Sequence, residues 1–128
     1  MKTKEDRENM TEQIKAKILR NFERHNSEMP GVTFGHLLEG IKPSEGEVVG
    51  NYPIKEFKGV FLWFNITQEV VTAINELVRD KVLLMRPCSP LLYYAGGGPV
   101  PSVPIAKPRN YKNSRWAPAI FEVGEKYT

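Results

Sequence analysis

Apolar positions along the chain fall into helical and strand-like spacings that give a definite order of elements. Ile14, Ile18, Leu19 and Phe22 recur at helical spacing behind Thr11, a fitting N-cap, while Lys15, Lys17, Arg20 and Arg24 occupy the other faces. The pattern predicts a first helix ending near His25-Asn26, with the charged residues 1–10 as a disordered N-terminus. Met29-Pro30-Gly31 breaks that helix, and Val32-Thr33 is long enough for a very short strand. Phe34, Leu37, Leu38 and Ile41 then resume helical spacing until Gly40, Pro43 and Gly46 stop it. The strongest stripe is Val70, Ile74, Leu77 and Val78, behind an N-cap at Asn65 or Thr67. Lys81 to Arg86 switches to a continuous apolar run of strand character, and Ala119–Val123 is a strand able to return antiparallel to it. Leu91–Ala95 reads as a further strand, held to an edge by Pro87 and Pro90.

Two stretches interrupt this order. Residues 42–64 stand where a short turn would join the second and third helices, so they are expected to be an insertion, with Val60–Phe64 packed as a buried segment. Gly96-Gly97-Gly98 and Pro99, Pro101, Pro104 and Pro108 mark a long, stiffened loop before the last strand.

The third helix carries a second pattern. Gln68, Thr72, Asn75 and Arg79 fall along one outward line, which suits either an ordinary solvated face or contact with base edges. Glu69 and Glu76 flank it and oppose attraction to phosphate.

Length and composition fit one soluble domain: 128 residues can bury a core without metal or disulfide staples. The single cysteine, Cys88, allows no internal disulfide and points to a reducing, cytoplasmic setting. No stretch is apolar enough to span a membrane, so no membrane partner is expected. The net charge of +3 hides an asymmetry: residues 1–80 hold 11 Lys and Arg against 13 Asp and Glu, while 81–128 hold 7 against 2. No acid occurs between Lys81 and Phe121, and Lys107, Arg109, Tyr111, Lys112, Arg115 and Trp116 interleave cations with aromatics there. Such a cluster can contact phosphates and stack on bases or sugars; alternatively Tyr111 and Trp116 bury and the cations merely solvate the loop.

Catalytic signatures are absent from the sequence. The three glycines lack the Lys-Ser/Thr of a phosphate loop, and His25 and His36 sit on different predicted helices with no Cys or paired carboxylates at metal spacing. They are expected to be surface or capping residues, Cys88 an ordinary small apolar one, and the chain a non-enzyme without cofactor or metal.

Helix, short strand, helix, third helix, strand, loop, strand, with I-T-Q-E-V-V-T-A-I-N-E-L-V-R-D-K-V-L as third helix and strand, resembles the winged-helix (winged helix-turn-helix) superfamily over Thr11 to Val123. The resemblance implies an α+β fold: a three-helix core, a small antiparallel sheet, an insertion before the third helix and a long wing, in a single domain over 11–128. It further implies double-stranded DNA as partner, with Gln68, Thr72, Asn75 and Arg79 on bases, Lys107, Arg109, Lys112 and Arg115 on the backbone, and Tyr111 beside them. A transcriptional regulator, with a homodimer as one plausible assembly, is the expected function; the alternative is a protein-interaction module whose insertion and 87–108 loop dock a partner chain.

Overall fold

The structure is a computed structural model and describes residues 3–28, 31–41, 49–96 and 99–127. Helix α1 spans Lys4–Asn26 and starts at Thr3, not Thr11. Thr3 Oγ1 accepts the Asp6 N–H at 3.1 Å while Asp6 Oδ2 accepts the Thr3 N–H at 3.2 Å, a reciprocal capping box that satisfies two otherwise orphaned donors. Residues 4–10, expected to belong to a disordered tail, are therefore the first turns of this helix, and Thr11 is buried within it. Strand β1 (Val32–Thr33) leads directly into α2, a single turn over Phe34–Leu37 capped by the Thr33 side chain. That helix is shorter than its apolar spacing implied, since the chain leaves helical geometry at Leu38 and turns through Gly40 at φ 74°.

The expected insertion is a β-hairpin in its described part. Strand β2 (Val49–Pro53) pairs antiparallel with β3 (Val60–Thr67), and residues 42–48 lie outside the described residues. Val60, Leu62 and Ile66 of β3 are buried, so the aromatic run expected as a packed segment is a strand that gives its alternate side chains to the core. Helix α3 (Gln68–Arg79) follows at once, and its cap is Thr67, whose side chain accepts the Val70 N–H at 3.4 Å. Asn65, the other candidate cap, sits in β3 at φ 60° and donates its N–H to Asn51 Oδ1 at 3.1 Å.

Strand β4 covers Leu83–Pro87 and is followed by α4, a short helix over Leu91–Gly96. A strand was expected at Leu91–Ala95, and Ser89-Pro90 explains the difference. The Ser89 hydroxyl accepts the Leu91 N–H at 3.2 Å, and proline supplies a helical φ at a position where no N–H is needed. After a long connection come β5 (Arg115–Trp116) and β6 (Ala119–Val123).

Two three-stranded sheets result, in the orders β1-β6-β4 and β2-β3-β5. In the first, β6 lies centrally and antiparallel to both neighbours, with Val32 opposite Phe121 and Met85 also opposite Phe121 from the other side. The expected return of 119–123 along the 81–86 segment is thus present. In the second, β5 runs parallel to β3, Val60 facing Arg115 and Phe61 facing Trp116. The fold is mixed α+β.

The main core joins Ile14, Ile18 and Phe22 of α1 to Ala73, Ile74 and Leu77 of α3, over Val32, Leu83 and Phe121 of the first sheet. Each large apolar side chain buried there contributes about 1.5–3 kcal/mol. A second, smaller core of Tyr93, Trp116 and Ile120 underlies the long connection. Tyr93 joins the two. Its hydroxyl accepts the Phe34 N–H at 3.1 Å and donates to the Ala119 carbonyl at 2.6 Å.

Candidate functional site

Helix α3 buries Val70, Val71, Ala73, Ile74 and Leu77, and so turns Gln68, Thr72, Asn75 and Arg79 outward along one line. Gln68, Asn75 and Arg79 are exposed and Thr72 is half-buried. Every polar side chain on this line already has a partner within the chain. Gln68 Nε2 donates to Thr72 Oγ1 at 3.2 Å, and the Tyr52 hydroxyl of β2 donates to Asn75 Oδ1. Burial pushes the Tyr52 hydroxyl up to about 12, so it stays protonated as a donor at neutral pH. Arg79 donates from Nε to Asp80 Oδ1 at 2.9 Å, a hydrogen bond that holds the Asp80 carboxyl below its ordinary value. On the far flank, Lys15 of α1 bridges Glu12 and Glu76, so one acid beside the line is neutralised.

The basic loop is positioned differently. Its backbone is bonded to the tip of the β2–β3 hairpin: the Tyr111 N–H donates to the Lys58 carbonyl at 2.8 Å, and the Arg115 N–H to the Gly59 carbonyl at 2.8 Å. The Lys58 N–H in turn donates to Asn110 Oδ1 at 2.9 Å. Gly59 makes this approach possible, since it holds φ 79° and a Cβ there would collide with the Tyr111 carbonyl. Within the loop, the Lys107 N–H donates to the Tyr111 hydroxyl at 2.9 Å, and the Arg115 guanidinium lies over the Tyr111 ring, 4.7 Å from its centroid. Trp116 anchors the end of the loop in the second core, packed edge-on to Tyr93 with ring centroids 4.9 Å apart.

This docking gathers more charge than the loop alone carries. Lys55 and Lys58 at the hairpin tip are exposed, as are Lys107, Arg109 and Lys112, while Arg115 is half-buried. Glu56 is the one acid in the tip, residues 54–59. Among the described residues none of these six cations forms an ion pair, whereas Lys15, Arg24, Arg79, Lys81 and Arg86 all do. Lys55 and Lys58 were not anticipated as site residues. The hairpin's contact with residues 110–115 is what brings them in, and no local pattern signals it.

A groove of about 520 Å³ lies where the α3 line meets the hairpin, lined by Tyr52, Leu62, Val71, Asn75, Met85 and Pro118 among others. Gln68 and Lys55 also line it, but no residue of 107–115 does. The groove therefore joins part of the α3 line, through Gln68 and Asn75, to the hairpin.

Elsewhere the fold joins residues that the sequence separates. His25, on the last turn of α1, lies against His36 of α2 with ring centroids 4.5 Å apart, and Glu39 completes the group. A separation of eleven positions concealed this proximity, because the reversal between α1 and α2 creates it. Cys88 is half-buried, and burial pushes its thiol up to about 11, which suppresses the thiolate at neutral pH.

Comparison of the chain with family models, with curated proteins and with solved structures found no match.

Proposed function

We propose that this chain is a winged-helix DNA-binding protein, a non-catalytic regulator of transcription that holds duplex DNA mainly through its phosphates. The order α1, β1, α2, α3, β4, β6, with β6 between β1 and β4, supports the winged-helix reading. On that reading the β2–β3 hairpin is an insertion ahead of the recognition helix, and the connection from β4 to β6 is an enlarged wing.

The observation that carries the functional reading is the set of cations on the wing and hairpin tip that lack a carboxylate partner among the described residues: Lys55, Lys58, Lys107, Arg109, Lys112 and Arg115. Protein–phosphate contact releases condensed counterions, so cations without internal partners are the ones that supply affinity. Gln68, Thr72, Asn75 and Arg79 would then read base edges, exchanging their internal hydrogen bonds for bonds to bases. A homodimer would present two such surfaces to two half-sites.

Fluorescence anisotropy with a random duplex at several salt concentrations tests this. The reading requires binding whose log–log salt slope becomes shallower by about 0.9 for each phosphate left unneutralised when Lys107, Arg109, Lys112 and Arg115 are changed to Ala. Absence of binding at low salt would overturn it.

A second reading, a protein-interaction module, rests on apolar residues left exposed in the 87–108 region. Leu91 and Tyr94 on α4 are 70% and 60% exposed, and Val100 and Ile105 lie in the loop beyond. Loss of partner binding in a Leu91→Ser, Tyr94→Ser variant, with no duplex binding by the parent chain, would favour it.

A further inference from the structure

We propose that His25, His36 and Glu39 form a binding site for one divalent transition-metal ion, with Zn2+ the best match to the ligand chemistry. Candidate ligand atoms of the three residues lie within 4.8 Å of one another. Two imidazoles and a carboxylate around a tetrahedral Zn2+, with bonds of about 2.0–2.1 Å, need their ligand atoms roughly 3.3 Å apart. His25 Nε2 and Glu39 Oε2 are already 3.1 Å apart, so closure is a matter of side-chain rotation about His36.

Three features prepare the site. First, the backbone is fixed: Asn21 of α1 donates its side-chain amide to the Leu37 carbonyl at 2.8 Å and to the Glu39 carbonyl at 2.9 Å. That clamp ties the helix bearing His25 to the turn bearing His36 and Glu39. Second, Thr33 Oγ1 stands 3.0 Å from His36 Nδ1. A hydroxyl accepting Nδ1–H selects the tautomer whose Nε2 lone pair is bare, the usual outer partner of a metal-bound histidine. Third, His25 Nε2 and Arg24 Nη2 both stand close to Glu39 Oε2, at 3.1 and 3.0 Å, which holds that carboxylate toward the imidazoles.

A simple ion pair does not account for the whole arrangement. Arg24 Nη2 already serves Glu39 Oε2 at 3.0 Å, which leaves the second imidazole without a role in neutralising that carboxylate. Among the described residues the buried His25 Nε2 has no hydrogen-bond partner. Two imidazoles at this separation repel each other when both are protonated, whereas a shared cation turns that contact favourable. Three protein ligands leave a fourth position for water. Bound there, the ion would clasp α1 to the turn that follows α2.

Isothermal titration of the full chain with Zn2+, and the visible absorption of Co2+ as a spectroscopic substitute, test the proposal. Expected are one ion per chain, absorption bands of a four-coordinate Co2+ ion, and affinity lowered at least about tenfold by Glu39→Gln and by His36→Gln. The two conservative variants, checked for unchanged far-UV circular dichroism, guard against a trivial loss of fold. A Cys88→Ser variant should bind as the parent does. Failure to bind Zn2+ at concentrations on the order of 100 μM would overturn the proposal, as would binding that survives both substitutions or disappears with Cys88→Ser. Duplex binding is measured separately, so the DNA reading can fail while this site stands.

Discussion

The polar line of α3 and the basic wing are both outward-facing and both candidates for contact with DNA, yet the fold treats them in opposite ways. Along α3, Asn75 is bonded to Tyr52, Arg79 to Asp80 and Gln68 to Thr72, so each side chain has a partner before any ligand arrives. On the wing and hairpin tip, six cations stand without carboxylate partners among the described residues, and what is satisfied is the backbone beneath them. A surface that is internally paired must break bonds to bind and gains selectivity more than affinity, whereas unpaired charge attracts a polyanion without that loss. The two regions should therefore separate under mutation, one controlling strength of binding and the other choice of sequence.

The largest effect is expected from the anchor of the wing. Trp116→Ala empties the second core and should destabilise the fold by about 3–5 kcal/mol, read from the denaturant midpoint. Because Trp116 closes the loop that carries the cations, duplex affinity should fall with it; full affinity in a folded Trp116→Ala variant would show that the wing's placement does not matter.

Changing Lys107, Arg109, Lys112 and Arg115 together to Ala should weaken random-duplex binding on the order of 100- to 1,000-fold at low salt while leaving the thermal midpoint nearly unchanged. If the salt slope instead stays constant, the wing is not the phosphate-binding region and the two surfaces do not differ in the way their pairing suggests.

On the α3 side, Asn75→Ala removes the acceptor of the buried Tyr52 hydroxyl and should cost about 1–3 kcal/mol of stability. Its salt slope for duplex binding should match the parent's. A changed slope would place α3 among the phosphate contacts and erase the division of labour.

The smallest effect concerns pH. Burial raises Tyr52 from its ordinary 10.0 to about 12, so the folded state holds the proton more tightly than the unfolded chain. That stabilisation is fully present below pH 10 and is lost as pH climbs through about 12. Tyr52→Phe should flatten part of the alkaline decline in a denaturation series; an identical decline would mean that Tyr52 is not the group responsible.

What could be read from the chain before its fold was known follows from the range of the forces involved. Helix α3, its outward polar line and the pairing of β4 with β6 are readable in the sequence, because side-chain alternation at short range determines which faces must leave water. The acid-free run from Lys81 to Phe121 is likewise a property of the sequence alone. Thr11 and Leu91–Ala95 misled because two competing local signals, the Thr3–Asp6 box and Ser89-Pro90, carry more weight than apolar spacing. Tertiary structure alone decided that residues 110–115 dock on Lys58 and Gly59, and that His25 and His36 meet beside Glu39. Those meetings require closing long loops, and the free energy that closes them is the burial of Trp116, Tyr93, Phe22 and Phe34 in two cores, a sum over distant residues that no local window of sequence contains.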